Sequence, residues 1–144
     1  MQENRILNVL PRSVRILIHK EQLQYEHLQE IKLRVEKPLL LIYRGEELIL
    51  GGQRGKPYMV TKEDISNYSL YAYEQEMKQG FITIEGGHRV GMTGQAIIEN
   101  GKVKNLKHIS SVNVRMSHEV LGCADKVFPY ITYNRSLYHT LVIS

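Results

Sequence analysis

FITIEGGHRVGMTGQAIIENGKVKNLKHISSVNVRM, residues 81–116, carries four strand signals separated by turn residues. Phe81-Ile82-Thr83-Ile84 is aromatic and β-branched, as a half-buried strand requires. Glu85-Gly86-Gly87 is a tight turn, and His88 to Ile98 is a long strand in which Gly91 and Gly94 mark a bulge or a close backbone approach. Glu99-Asn100-Gly101 is a hairpin turn, because Asn-Gly tolerates positive φ. Val103 to Leu106 returns from it, and Val112, Val114 and Met116 alternate with Asn113 and Arg115 in a last strand. Consecutive strands joined by short turns make an antiparallel sheet.

Working upstream, Ile31, Leu33 and Val35 alternate with Lys32, Arg34 and Glu36 as a half-buried strand, and Lys37-Pro38 breaks it. Leu39 to Tyr43 and Leu48-Ile49-Leu50 form a second pair of strands around the turn Arg44-Gly45-Glu46-Glu47. Gly51 to Pro57 is a loop. Ile6, Leu10, Val14 and Leu17 fall at helical spacing, and Pro11 fits the start of a helix through His19, where its missing N–H costs nothing. Thr61 is a good N-cap, and Glu63 and Asp64 suit the positive end of the helix it opens. Ser66-Asn67 separates that helix from a second around Tyr71–Lys78, which Gly80 closes. Downstream, Ala124–Tyr133 reads as a short helix or linker, and Thr140-Leu141-Val142-Ile143 as a buried-type strand. These elements predict an α+β fold, a mostly antiparallel sheet with helices on one face.

The chain has 144 residues, 42% hydrophobic and 24% charged, with formal net charge +4. That is an ordinary globular composition for one domain, or one domain and part of another. The mild positive charge is compatible with phosphate, nucleic acid or an acidic membrane and demands none of them. Its single cysteine, Cys123, excludes an internal disulfide and reads as a small, partly buried hydrophobe. The apolar residues of the N-terminus are broken by Asn8, Pro11 and arginines, unlike a signal peptide. The longest apolar run, Leu39–Tyr43, is too short to cross a bilayer, so the cytoplasm is the expected location.

The chemistry-bearing motifs are few. No pair among the six histidines has the i, i+4 spacing of a helical zinc site, and no catalytic residues and no metal ligands are assigned. Gly86 to Gly94 holds four glycines in nine residues around His88 and Arg89. It reads either as a backbone approach to phosphate or as a hairpin turn and bulged strand with solvated polar side chains. Arg115 projects from the polar face of its strand and becomes functional only opposite an anion. Gly52-Gln53-Arg54-Gly55 has the spacing of a KH-domain clamp but follows a strand, and Gln79–Ile84 lacks the paired aromatics of an RNA-binding strand. Nucleic acid is the poorer fit.

Several segments together resemble the stage III sporulation protein AA family. They are Glu30–Arg34 with Lys37-Pro38-Leu39; Ser69–Glu74; Gln79–Ile84 leading into Gly86–Gly91; Ile109–Arg115; and Glu119–Asp125. Their order and spacing span essentially the whole chain. The family is similar to secretion and pilus-retraction ATPases, in which an N-terminal α+β domain precedes a RecA-like motor. The resemblance implies residues 1–120 as that N-terminal domain and residues 121–144 as a linker and first strand of the motor. It implies a regulatory and oligomerisation domain, a ring-shaped hexamer, and membrane channel proteins between mother cell and forespore as partners. It implies a cytoplasmic location peripheral to the forespore membrane, and ATP and Mg²⁺ as requirements of the full-length relative. Arg89 and Arg115 are then the nucleotide-binding candidates, expected to face one edge of the sheet.

Two departures from the family pattern qualify the resemblance. Leu141–Ser144 resembles the strand entering a P-loop, and no Gly-Lys-Thr segment follows within the sequence, so this chain alone is expected to show no ATP turnover. The helix after Asp64 reads about two turns shorter than the family's. The alternatives are a stand-alone phosphate- or RNA-binding module, or an inactive remnant of a truncated gene.

Overall fold

The computed structural model describes residues 9–51, 55–66, 80–134 and 136–138. In chain order these form helix α1 (Arg12–Lys20), a 3-10 turn (Tyr25–His27), strands β1 (Leu28–Arg34), β2 (Leu40–Tyr43) and β3 (Glu46–Ile49), and the short helix α2 (Lys62–Ser66). Then come β4 (Phe81–Ile84), β5 (His88–Glu99), β6 (Lys102–Arg115), a four-residue helix α3 (Phe128–Ile131), and the small strands β7 (Thr132–Tyr133) and β8 (Ser136–Leu137).

Six strands make one sheet in the order β3-β2-β1-β6-β5-β4, and every pairing is antiparallel. The α+β expectation therefore holds. The alternation read from the sequence sets the sheet's two faces. Ile31, Leu33, Leu41, Ile82, Val90, Val112 and Val114 point to one side and are buried. The helices supply Val14, Leu17, Ile18 and Ile65 to the same core. At roughly 25 cal/mol per Å² of apolar surface, this shared core is the main stabilising term holding the helices to the sheet.

Two details differ from the sequence reading. Val103–Leu106 and Val112–Met116 are not separate strands. β6 runs unbroken from Lys102 to Arg115, because His108, at φ 48, takes up a register irregularity without ending the ladder. Asn100 and Gly101 both adopt positive φ, 52 and 73, as the tight turn between β5 and β6 requires. Cys123 is exposed, not partly buried, because Leu121–Val127 forms successive turns outside the sheet. The expected helix at Tyr71–Lys78, the part past Ser66 of the helix expected to be short, the Gly52–Arg54 part of the clamp-like loop, the Ser69–Glu74 segment and the strand Thr140–Ile143 lie outside the described residues.

Thr61 caps α2 as its type predicts. Its hydroxyl accepts the Asp64 N–H at 3.2 Å, and its own N–H donates to the Asp64 carboxylate at 2.8 Å, a reciprocal capping arrangement.

Candidate functional site

The face of the sheet turned away from the core carries the chemistry. Successive registers set Thr83, Arg89, Arg115, Glu30, Ile42 and Glu47 in one row across all six strands. Arg89 and Arg115 are direct neighbours in it. They stand on β5 and β6, strands with partners on both sides, near the start of β5 and at the end of β6, so they occupy the open face at one end of the sheet. The two strands are neighbours.

Like charges directly opposite one another in a sheet repel, so the neighbours of each guanidinium matter. Arg89 lies over the Phe81 ring with its guanidinium carbon 3.8 Å from the centroid. This cation–π contact orients it without neutralising it. Arg115 reaches the Glu30 carboxylate only at 3.9 Å, and its side chain is 70% exposed. Glu30 is already engaged: the Asn113 amide donates to it at 2.6 Å and Lys32 approaches at 3.5 Å. One carboxylate thus faces Arg115 and Lys32 together, with Arg89 beside them. The local balance is positive, and among the described residues neither guanidinium donates a hydrogen bond, which leaves those donors for an oxyanion.

The Gly86–Gly94 stretch divides between its two readings. Glu85, Gly86 and Gly87 form the turn, and Gly94 sits at the irregularity between Thr93 and Gln95. His88 is not solvated. It is 8% exposed, and its Nδ1 accepts the Ser117 N–H at 2.9 Å. Burial, with the positive influence of His118 second, holds its pKa below the ordinary imidazole value. A neutral His88 protonated on Nε2 fits this bond. It does not face the row of arginines, since its register partner is the buried Ile84.

A second polar cluster, not foreseen from the sequence, joins the helices. Asp64 is 5% exposed and accepts from the Ser13 hydroxyl, from the Tyr58 phenol at 3.0 and 2.9 Å, and from the Thr61 hydroxyl at 3.0 Å. Burial pushes its carboxyl up, and the hydrogen bonds from Ser13, Thr61 and Tyr58 together pull it further down, below the usual carboxylate range. The same burial raises the Tyr58 phenol, with Asp64 adding to it against the lowering effect of Ser13. This cluster is satisfied internally and offers no free group to a ligand. Its one local sequence signal was the Thr61 cap. Among the described residues, no group of three or more His, Cys, Asp or Glu is placed to hold a metal ion. No helix among them is long and apolar enough to cross a membrane.

Comparison with known proteins adds the following. The family model described as "Sporulation stage III, protein AA" matches residues 1–144. Stage III sporulation protein AA of Bacillus subtilis (strain 168) is 39% identical over 148 residues, covering 97% of this chain and 46% of that protein. This chain therefore spans less than half the length of that relative. The alignment is longer than the chain, so it opens gaps opposite some of the relative's residues. No solved structure matches.

Proposed function

The chain belongs to the sporulation stage III protein AA family, and from that premise we propose that it acts in sporulation as the N-terminal regulatory and oligomerisation domain of an ATPase. In this reading the full-length protein powers a channel between mother cell and forespore. It assembles as a ring, a hexamer by analogy with secretion ATPases, and works on the cytoplasmic side of the forespore membrane with membrane channel proteins as partners. Residues 1–120 are the domain proper, and residues 121–144 lead into a RecA-like motor. ATP and Mg²⁺ belong to the longer relatives, and this chain contributes side chains toward the nucleotide.

The observation that carries the reading is the opposition of Arg89 and Arg115 across β5 and β6. Opposed residues in an antiparallel pair have Cβ atoms about 5 Å apart, a separation that lets two guanidiniums bracket one terminal phosphate. Repulsion between them is relieved when an anion arrives, so binding recovers energy that folding leaves stored. The Phe81 contact fixes Arg89 over the sheet, which reduces the entropy lost when it grips a ligand. The same contact argues against RNA as the partner, because the guanidinium covers the ring face on which a base would stack.

The test uses a full-length family member carrying alanine at the position of Arg89 or of Arg115. Each change is expected to lower ATP turnover at least about tenfold, with folding and ring assembly unchanged. Turnover at the wild-type rate in both would leave the domain a purely structural role.

A further inference from the structure

Beyond the six-stranded sheet, β5 and β6 continue alone. β4 pairs with β5 only as far as Gly91, and β1 pairs with β6 only back to Ser111. From Gln95–Lys107 to the Glu99–Lys102 closing pair the two strands have no third partner among the described residues. They form a two-stranded ribbon extending about 17 Å from the sheet, at ~3.4 Å per residue.

Leu106, at the base of the ribbon, packs against the core, but the apolar residues at its tip do not. Ile98 stands opposite Val103 next to the Asn100–Gly101 turn, and these side chains are 67% and 39% exposed. An exposed β-branched pair at the end of a projecting arm is costly in water, and an isolated ribbon is only marginally stable. The charges beside it are mostly positive. Glu99 stands opposite Lys102 and pairs with Lys104 at 2.6 Å, so along the ribbon one carboxylate is set against three lysines, Lys102, Lys104 and Lys107.

We propose that the tip of this ribbon docks on an anionic lipid bilayer, with Ile98 and Val103 entering the boundary between headgroups and acyl chains and Lys102 and Lys107 contacting anionic headgroups. Charge complementarity selects the partner. A second copy of a chain with formal net charge +4 would meet the lysines with like charge. A nucleic acid would satisfy the lysines and leave the apolar pair in water, and the ribbon carries no aromatic residue to stack on a base. A bilayer takes both features at once, because long lysine stems let the ammonium groups rise to the headgroup level while the apolar tip sinks. This inference is independent of the nucleotide reading of Arg89 and Arg115.

The chain has no tryptophan, so Ile98→Trp provides a single reporter at the tip. Vesicles of phosphatidylcholine doped with phosphatidylglycerol are expected to shift its emission to shorter wavelength and to co-sediment the wild-type chain. Pure phosphatidylcholine vesicles should do neither, and added salt should reverse the binding. Reversing Lys102 or Lys107 to Glu should weaken vesicle partitioning at least about fivefold each, and Ile98→Asp at least about tenfold. The thermal midpoints of Lys107→Glu and Ile98→Asp are expected to match wild type. Failure of the wild type to bind the anionic vesicles overturns the proposal. So does undiminished binding by the variants. Loss of self-association or of binding to an RNA oligomer in Ile98→Asp, without vesicle binding in the wild type, would assign the ribbon to that other partner.

Discussion

The Ser13 hydroxyl on α1 donates to the Asp64 carboxylate on α2, joining the two helices through residues 51 apart in sequence. Asp64 also holds Tyr58 and both polar groups of Thr61, so one carboxylate closes the helical layer over the sheet. Asp64→Asn keeps the shape and loses the charge, and its amide N–H₂ meets hydroxyl donors. The expected loss is about 2–3 kcal/mol of unfolding free energy, measured by urea denaturation at neutral pH. A loss under about 0.5 kcal/mol would show that the network is solvated instead. The sign of the pH effect follows from the lowered carboxyl. The folded state binds its proton more weakly than the unfolded chain, so the contribution is complete above about pH 4 and is lost as pH falls through the folded pKa. Asp64→Asn should flatten that acid limb.

His88 predicts a second pH dependence at milder acidity. Its folded pKa is lowered, first by burial and then by His118. Below about pH 6.5 the unfolded chain takes up a proton that the folded imidazole resists, so stability falls as pH drops from there to the folded pKa and levels off below it. Protonating Nδ1 would also break the bond from the Ser117 N–H. His88→Gln, which retains an acceptor without titrating, should remove the decline in thermal midpoint between neutrality and about pH 5. An equal decline in the variant would move the effect to another histidine.

The bulged ribbon supplies a third expectation. A Cβ on Gly94 would lie 2.7 Å from the Lys107 carbonyl oxygen, a backbone atom that cannot swing aside. Gly94→Ala should cost about 1–3 kcal/mol and broaden amide signals along β5 and β6. Gly101→Ala, at φ 73 with open space around it, should cost only about 1 kcal/mol, from backbone strain alone. Equal costs at the two sites would mean that the close approach at Gly94 relaxes freely.

These positions show how far the sequence could be read. The Asn100–Gly101 turn and the Thr61 cap depend on neighbouring residues, so local rules suffice for both. The opposition of Arg89 and Arg115 does not follow from such rules. A strict count back from the Asn100–Gly101 turn sets Arg89 against Val112, a core residue on the other face. Irregularities between Thr93 and Gln95 and between Ile97 and Ile98 move it to Arg115. An odd register shift exchanges the two faces of a strand, and glycine spacing alone does not say where the extra residues fall. The Asp64 cluster was hidden for a different reason. Ser13 and Tyr58 are brought to it by tertiary packing, and a carboxylate in the first turn of a helix ordinarily reads as a solvated dipole partner.

The last prediction separates function from stability at Arg115. If the two guanidiniums are kept together for an anion, the fold carries their repulsion, and removing one charge should not weaken the protein. Arg115→Met retains most of the aliphatic stem, removes the weak 3.9 Å approach to Glu30, and leaves that carboxylate with Asn113 and Lys32. Surface changes of this kind usually stay within about 0.5 kcal/mol, and the direction expected here is neutral to stabilising in urea denaturation at low salt. The same substitution should abolish chemical-shift changes at the Arg89 side chain on titration with pyrophosphate, the simplest probe of a terminal phosphate pair. In the wild-type chain those changes should appear and fade with added salt, as a charge-driven site requires. A clear loss of stability in Arg115→Met would make the arginine a structural ion-pair partner of Glu30. Absence of any pyrophosphate response in the wild type would remove the phosphate reading from this face of the sheet.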